Sequence, residues 1–215
     1  MTHTHTYSFS LVFSLAITLL LLPHRNLQAE ADETHSAIGH NTEKSKDVLD
    51  SWFIDFETAG LWKVGNSTDL DYVVLPQTVS WRYLPFRNWK FAGGDMIIRN
   101  RLSFLAQYFA KGAESYYLGF SGGPTLEWWN EEQNFSLYFY IGGGAGWVDS
   151  TDIIGGQGQD FTFNWYMQAG AHFRLTHNLL LTSGLSFQHL SNQGQAERNP
   201  GLNSLGPTIG LSLQF

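Results

Sequence analysis

The sequence contains no cysteine. That absence removes disulfides, thiolate metal ligands and cysteine nucleophiles together. Charge is scarce as well: Asp, Glu, Lys and Arg make up only 14% of the 215 residues. The balance is acidic, with 12 Lys and Arg against 19 Asp and Glu and a formal net charge of −7. No basic cluster of the kind that tracks phosphates is present, which argues against a nucleic-acid partner. Long apolar runs are also missing. After residue 30 nothing approaches the roughly 18 to 20 unbroken apolar residues of a membrane helix. Five of the eight histidines (His3, His5, His24, His35, His40) lie in or near the N-terminal leader. The other three, His172, His177 and His189, show no paired ligand spacing, so neither a metal nor a cofactor is expected.

Aromatics at 15%, 22 glycines and a hydrophobic content of 43% are what the chain does have. This is neither a disordered composition nor an ordinary soluble enzyme surface. Apolar content without apolar runs implies alternation, and hence strands.

Residues 1–29 are expected to form a secretory signal peptide. An apolar stretch from Phe9 to Leu22 is broken at Pro23, and Leu27-Gln-Ala29 offers a small-residue cleavage site. No Lys or Arg precedes the apolar stretch, and an uncleaved anchor is the competing reading. Residues 30–50, polar and poor in aromatics, read as a flexible N-terminal segment.

From Ser51 onward eight strands are expected: 52–64, 72–84, 97–109, 116–129, 135–148, 161–175, 179–191 and 205–215. Turn formers separate them, such as Asn130-Glu-Glu-Gln-Asn134 and Thr176-His-Asn178. Weakly alternating segments of this length, divided by turns, match tilted transmembrane strands. The last strand decides which way the faces point. Leu205, Ile209, Leu211, Leu213 and Phe215 share one face, and Thr208, Gly210, Ser212 and Gln214 share the other. Apolar outside and small or polar inside suits a wall between lipid and a packed lumen, whereas a soluble barrel reverses the pattern. The expected architecture for 51–215 is therefore an all-β, eight-stranded antiparallel transmembrane β-barrel, preceded by a periplasmic segment over 30–50. Eight strands leave a lumen filled by side chains, which argues against a pore.

In bacterial barrels of this kind the periplasmic turns are short and follow the even-numbered strands. Asn130–Asn134 and Thr176–Asn178 fit, while the stretch from Pro85 to Met96 is too long for the rule. The connection from Asn192 to Ser204 then falls on the extracellular side. In strand 179–191 the odd positions are expected to face lipid, which places His189 and Ser191 together at the outer rim. Trp52, Trp62, Trp81, Trp128, Trp129, Trp147 and Trp165 read as an interfacial girdle. Glu127 and Asp160 read as rim charges, and His172 as a histidine paired inside the lumen.

A neutral imidazole beside a serine hydroxyl can accept its proton and make it a nucleophile, given an orienting group and donors for the oxyanion. At positions i and i+2 of a strand the two side chains are rooted about 6 to 7 Å apart, within reach if the imidazole leans over. Their place adds weight, because polar side chains on a lipid-facing surface are costly without partners or a task.

The stretch His189-Leu-Ser-Asn-Gln-Gly, followed by Asn199-Pro-Gly-Leu-Asn203 and a terminal strand, resembles the lipid A 3-O-deacylases of the PagL type. The resemblance covers the eight-strand layout, with its specific motif in residues 187–206. It implies His189 as general base, Ser191 as nucleophile, and Asn192 and Asn199 as contributors to an oxyanion hole. The implied reaction is hydrolysis of the acyl ester at the 3-position of lipid A, through an acyl-enzyme. The implied partner is lipopolysaccharide in the outer leaflet of the bacterial outer membrane. One position departs from the family: the acidic residue expected fourteen residues after the histidine is Asn203 here. Its amide oxygen can orient the imidazole but cannot match a carboxylate in stabilising the imidazolium. Glu197, in the same loop, is the candidate substitute acid, its competing reading being a solvated loop charge. The competing reading is a barrel of the same descent without catalysis, in a structural or adhesion role.

Overall fold

A computed structural model describes residues 46–215. The expected signal peptide over 1–29, and residues 30–45 of the expected tail, lie outside the described residues. The strands are β1 (Phe53–Ala59), β2 (Leu61–Lys63), β3 (Val73–Arg82), β4 (Arg87–Phe91), β5 (Gly94–Lys111), β6 (Tyr116–Asn130), β7 (Phe135–Val148), β8 (Phe161–Arg174), β9 (Leu179–Ser191) and β10 (Leu202–Gln214). Each pairs antiparallel with its neighbours, and β1 meets both β3 and β10 to close the ring. Because β2 continues β1 past Gly60 and β4 continues β3, the ten segments form eight barrel strands. The fold is the expected closed barrel.

Side chains follow the strand period. On β9 the even residues Leu180, Thr182, Ser186, Gln188 and Leu190 are buried inside, while Leu185 is exposed outside. Leu102, Phe104, Leu118, Phe120, Leu137, Phe139 and Ile209 are likewise exposed on the outer face, as a lipid-facing wall requires. Inside, strand coiling brings backbones close. A Cβ on Gly144 would lie 1.9 Å from Phe120 O, so only glycine fits there.

The lumen is layered. A central belt pairs three arginines with three carboxylates. Arg82 grips Asp55 with Nε and Nη2 (2.8 and 3.0 Å) and Glu127 with Nη1 (2.6 Å). Arg99 reaches Glu127, and Arg101 reaches Glu57, Gln168 and Ser80. Glu127 is thus fully buried, not on the rim: its odd position in β6 points inward, where two guanidiniums balance its charge. His172 sits in the lumen as expected, stacked on Tyr138 and Trp129 with Nδ1 on Thr182 Oγ1. Apolar clusters lie on both sides of this belt, one around Phe53, Ile97, Trp129 and Leu180, the other around Leu61, Leu105, Tyr117, Tyr166 and Leu190. A lumen cavity of about 30 Å³, lined by Glu57, Arg101, Ser103 and Tyr140 among others, has room for a water molecule or two.

At the short-turn end, two stretches differ from expectation. Within the stretch from Pro85 to Met96, the residues from Arg87 onward form a hairpin and not a loop: β4 pairs with the start of β5 from Arg87↔Ile98 to Phe91↔Gly94. Its turn is only Ala92-Gly93, both with positive φ (48° and 72°), the conformation of a tight hairpin. All three turns at this end are therefore short, and the rule that the stretch had broken holds. Secondly, residues 46–50, expected as part of a loose tail, are held at the short-turn mouth. Val48 is buried, Arg99 donates to Val48 O and Ser51 O, and Gln133 binds Val48 N and Asp47 Oδ1.

Candidate active site

The four connections at the opposite end span residues 64–72, 112–115, 149–160 and 192–201. Beneath the last of them β9 and β10 pair with His189 directly across from Asn203, and on the other side Trp165 of β8 faces His189. All three belong to the outward set. The strand β10 starts at Leu202 rather than at residue 205, so Asn203 is a strand residue and not a loop residue. Cross-strand partners on one face have roots close enough for their side chains to touch. His189 Nδ1 and Asn203 Oδ1 lie 2.6 Å apart. An amide oxygen only accepts, so this bond puts the ring proton on Nδ1 and leaves the Nε2 lone pair free.

The ring is held on its other sides as well. Trp165 lies against it at a centroid distance of 6.0 Å, and Phe187 lies 5.1 Å beyond Trp165. Gly201, at φ 66°, passes beside the ring, and a Cβ there would sit 3.4 Å from His189 Cε1. Asn203 is fixed through its backbone. Val64 N donates to Asn203 O at 2.9 Å, and Asn203 N donates to Ser67 Oγ at 3.0 Å. Ser67 and Trp165 carry no sequence signal for this site, whereas Gly201 lies inside the Asn199-Pro-Gly-Leu-Asn203 stretch that carries the resemblance. Trp165 was read only as girdle, and the 64–72 connection joins the site only through folding.

Ser191 shares the outward set with His189. It is 9% exposed, and among the described residues no hydrogen bond joins its hydroxyl to the imidazole. Asn192 is fully buried and heavily bonded. Its N–H donates to Asn199 Oδ1 (3.0 Å), its Nδ2 donates to Gln157 O (2.7 Å) and Arg198 O (2.8 Å), and its Oδ1 accepts from Gly194 N (2.8 Å). Asn192 and Asn199 are thus brought together, each with one group engaged by the other. Asn199 Nδ2 makes no hydrogen bond among the described residues. Glu197 is exposed in the same loop, and among the described residues it makes no hydrogen bond or ion pair with His189. Asp160 lies at the loop end as expected, accepting from Ser150 N and Thr151 N.

Chemically, the arrangement is an oriented imidazole with a free basic nitrogen, a hydroxyl two residues along the same face, and amides above them. It opens sideways toward the outer wall rather than into the lumen.

A family model described as lipid A 3-O-deacylase (PagL) matches residues 76–212. The crystal structure of the outer membrane enzyme PagL is similar over 74% of this chain and 97% of that one, at 16% identity and a TM-score of 0.54. Neisserial surface protein A is similar over 76% of this chain and 97% of its own, at 13% identity and a TM-score of 0.50. At such identities these likenesses concern the fold. No curated protein matches the sequence closely enough to count as a relative.

Proposed function

The chain belongs to the lipid A 3-O-deacylase (PagL) family, and from that membership we propose that it is a serine esterase removing an ester-linked acyl chain from lipid A. It is a β-barrel of the bacterial outer membrane. The end with only short turns faces the periplasm, and the end that carries the longer connections 64–72, 149–160 and 192–201 faces outward. The site then lies at the level of the outer leaflet, where the acyl esters of lipopolysaccharide are anchored. The observation that carries the reading is the 2.6 Å bond from His189 to Asn203, made on the outward face beside Ser191.

In this reading His189 Nε2 takes the Ser191 proton as Oγ attacks the ester carbonyl. The tetrahedral oxyanion is met by amide donors: Asn199 Nδ2 is free of other partners, and Asn192 N–H, which donates to Asn199 Oδ1, joins it by giving up that bond. Collapse breaks the bond to the sugar oxygen, which leaves as a hydroxyl after taking the proton from His189. Water, activated by the same nitrogen, then frees the fatty acid from Ser191. Asn203 keeps the tautomer correct throughout but brings no negative charge to the imidazolium, so a slower reaction is expected than with a carboxylate there.

The second reading, a barrel without turnover, is favoured by the amide at the acid position and by the missing hydrogen bond between Ser191 and His189. Mass spectra of lipid A from cells expressing the chain separate the two. The esterase reading requires loss of one acyl chain with the wild type and no loss with Ser191→Ala.

A further inference from the structure

Glu114, in the 112–115 connection, is 4% exposed and lies away from the site. Its carboxylate collects donors from two other connections. Oε2 accepts from Tyr72 OH at 2.7 Å, while Oε1 accepts from Ser150 Oγ at 2.8 Å and from Gln157 N at 2.9 Å. Burial, with Glu114 beside it, raises Tyr72 above the ordinary tyrosine range, so its hydroxyl stays protonated and donates. Gln157 then turns its carbonyl to Asn192 Nδ2 at 2.7 Å, and Asn192 follows Ser191 directly. One carboxylate thus ties three connections together and, through a single backbone unit, reaches the fourth.

From this chain of bonds we infer that Glu114 is a positioning residue for the site: it fixes Gln157, which fixes Asn192 and with it the Ser191 hydroxyl. Gln157 N–H also donates to Ser150 Oγ, but that hydroxyl is itself held by Glu114, so removing the carboxylate releases Tyr72 and the Ser150–Gln157 pair together and loosens the 149–160 connection. The support for Asn192 then loosens although no strand has changed. Displacement of a reacting group by about 1 Å costs up to about 100-fold in rate. The effect falls on the chemical step rather than on lipid binding, because Glu114 lies off the outer wall. The inference rests on the esterase reading for its kinetic readout only.

The test uses full-length protein in detergent micelles, with purified lipid A as substrate. Glu114→Ala is expected to lower kcat about tenfold to a hundredfold with KM within about twofold, and Glu114→Gln, which keeps one acceptor oxygen, to recover most of the loss. A second readout needs no activity. Arg198 is exposed, but its carbonyl is held by Asn192 Nδ2. Trypsin is therefore expected to cut after Arg198 faster in Glu114→Ala than in the wild type. Asp71→Asn, which breaks the separate Lys111–Asp71 rim pair, should leave that rate unchanged. If Glu114→Ala does not fold, Ser150→Ala removes a hydroxyl from the same cluster and is expected to expose the same bond. Wild-type kcat in Glu114→Ala, or unaltered cleavage after Arg198, overturns the inference. A wild type that leaves lipid A intact overturns the esterase reading instead, and the proteolysis still decides the coupling.

Discussion

Replacing Asn203 with aspartate is expected to speed the reaction. Aspartate has the shape of asparagine, so one carboxylate oxygen takes the place of Oδ1, 2.6 Å from His189 Nδ1. The backbone bonds to Val64 and Ser67 do not depend on the side chain. In the transition state the ring becomes an imidazolium, and the new interaction is between opposite charges. Two unit charges about 4 Å apart attract by about 1 kcal/mol in water and about 4 kcal/mol at an effective dielectric of 20. Asn203 is half-buried, so the lower part of that range applies once solvent screening is counted. A gain of about 1.4 kcal/mol is tenfold in rate, and charge assistance to a hydrogen bond is of the same order. The assay is deacylation of lipid A in micelles, with acyl loss followed by mass spectrometry at several substrate concentrations. Asn203→Asp should raise kcat/KM about tenfold, and Asn203→Ala should lower it. Equal rates in wild type, Asp and Ala variants would refute the reasoning, since Asn203 would then have no hold on the proton transfer.

Three further outcomes follow from the same geometry. Arg82→Ala leaves Asp55 and Glu127 buried without their shared partner. It should cost about 3–5 kcal/mol, read as a lower temperature for the shift in gel mobility between folded and unfolded barrel. Gly201→Ala combines a positive φ with a Cβ 3.4 Å from His189 Cε1. The Cβ itself fits at contact distance, but the positive φ strains the new residue, and the backbone shift that relieves it is expected to move the adjoining imidazole and lower kcat, without changing the mobility shift. Asp160 is held below its ordinary value of 3.8, first by the backbone N–H of Thr151 and then by its hydroxyl and Ser150 N–H. Its contribution is complete above that value and is lost as pH falls through the lower folded value, because the unfolded chain binds the proton more tightly. Asp160→Asn at neutral pH should therefore make the 149–160 connection more sensitive to proteolysis, as acid does for the wild type.

Much of the wall was legible because a strand writes its two faces alternately into the sequence. Leu205, Ile209 and Phe215 marked the outside of β10, and the same parity put His189 on the outside of β9. The His189–Asn203 contact was half legible: spacing and resemblance placed both residues, but only the register of β9 against β10 brings them into contact. Elsewhere local composition misled. Pro85, Arg87, Asn88 and Lys90 resemble a loop, yet β4 needs no apolar face of its own because β5 supplies its ladder. Glu127 looked like a rim charge because it lies near the end of its strand. Arg82 and Arg99 come from other strands and meet it only when the ring closes. Ser67, Glu114 and Gln157 were silent for the same reason. Their roles lie in hydrogen bonds between connections distant in the chain, which leave no periodic trace.

The lipid A of cells expressing this chain tests the esterase reading most directly. The wild type is predicted to yield a species lighter by one ester-linked acyl chain, and Ser191→Ala, with its barrel folded in the outer membrane, to yield none. Full acylation with the wild type, or equal acyl loss with Ser191→Ala, would contradict it.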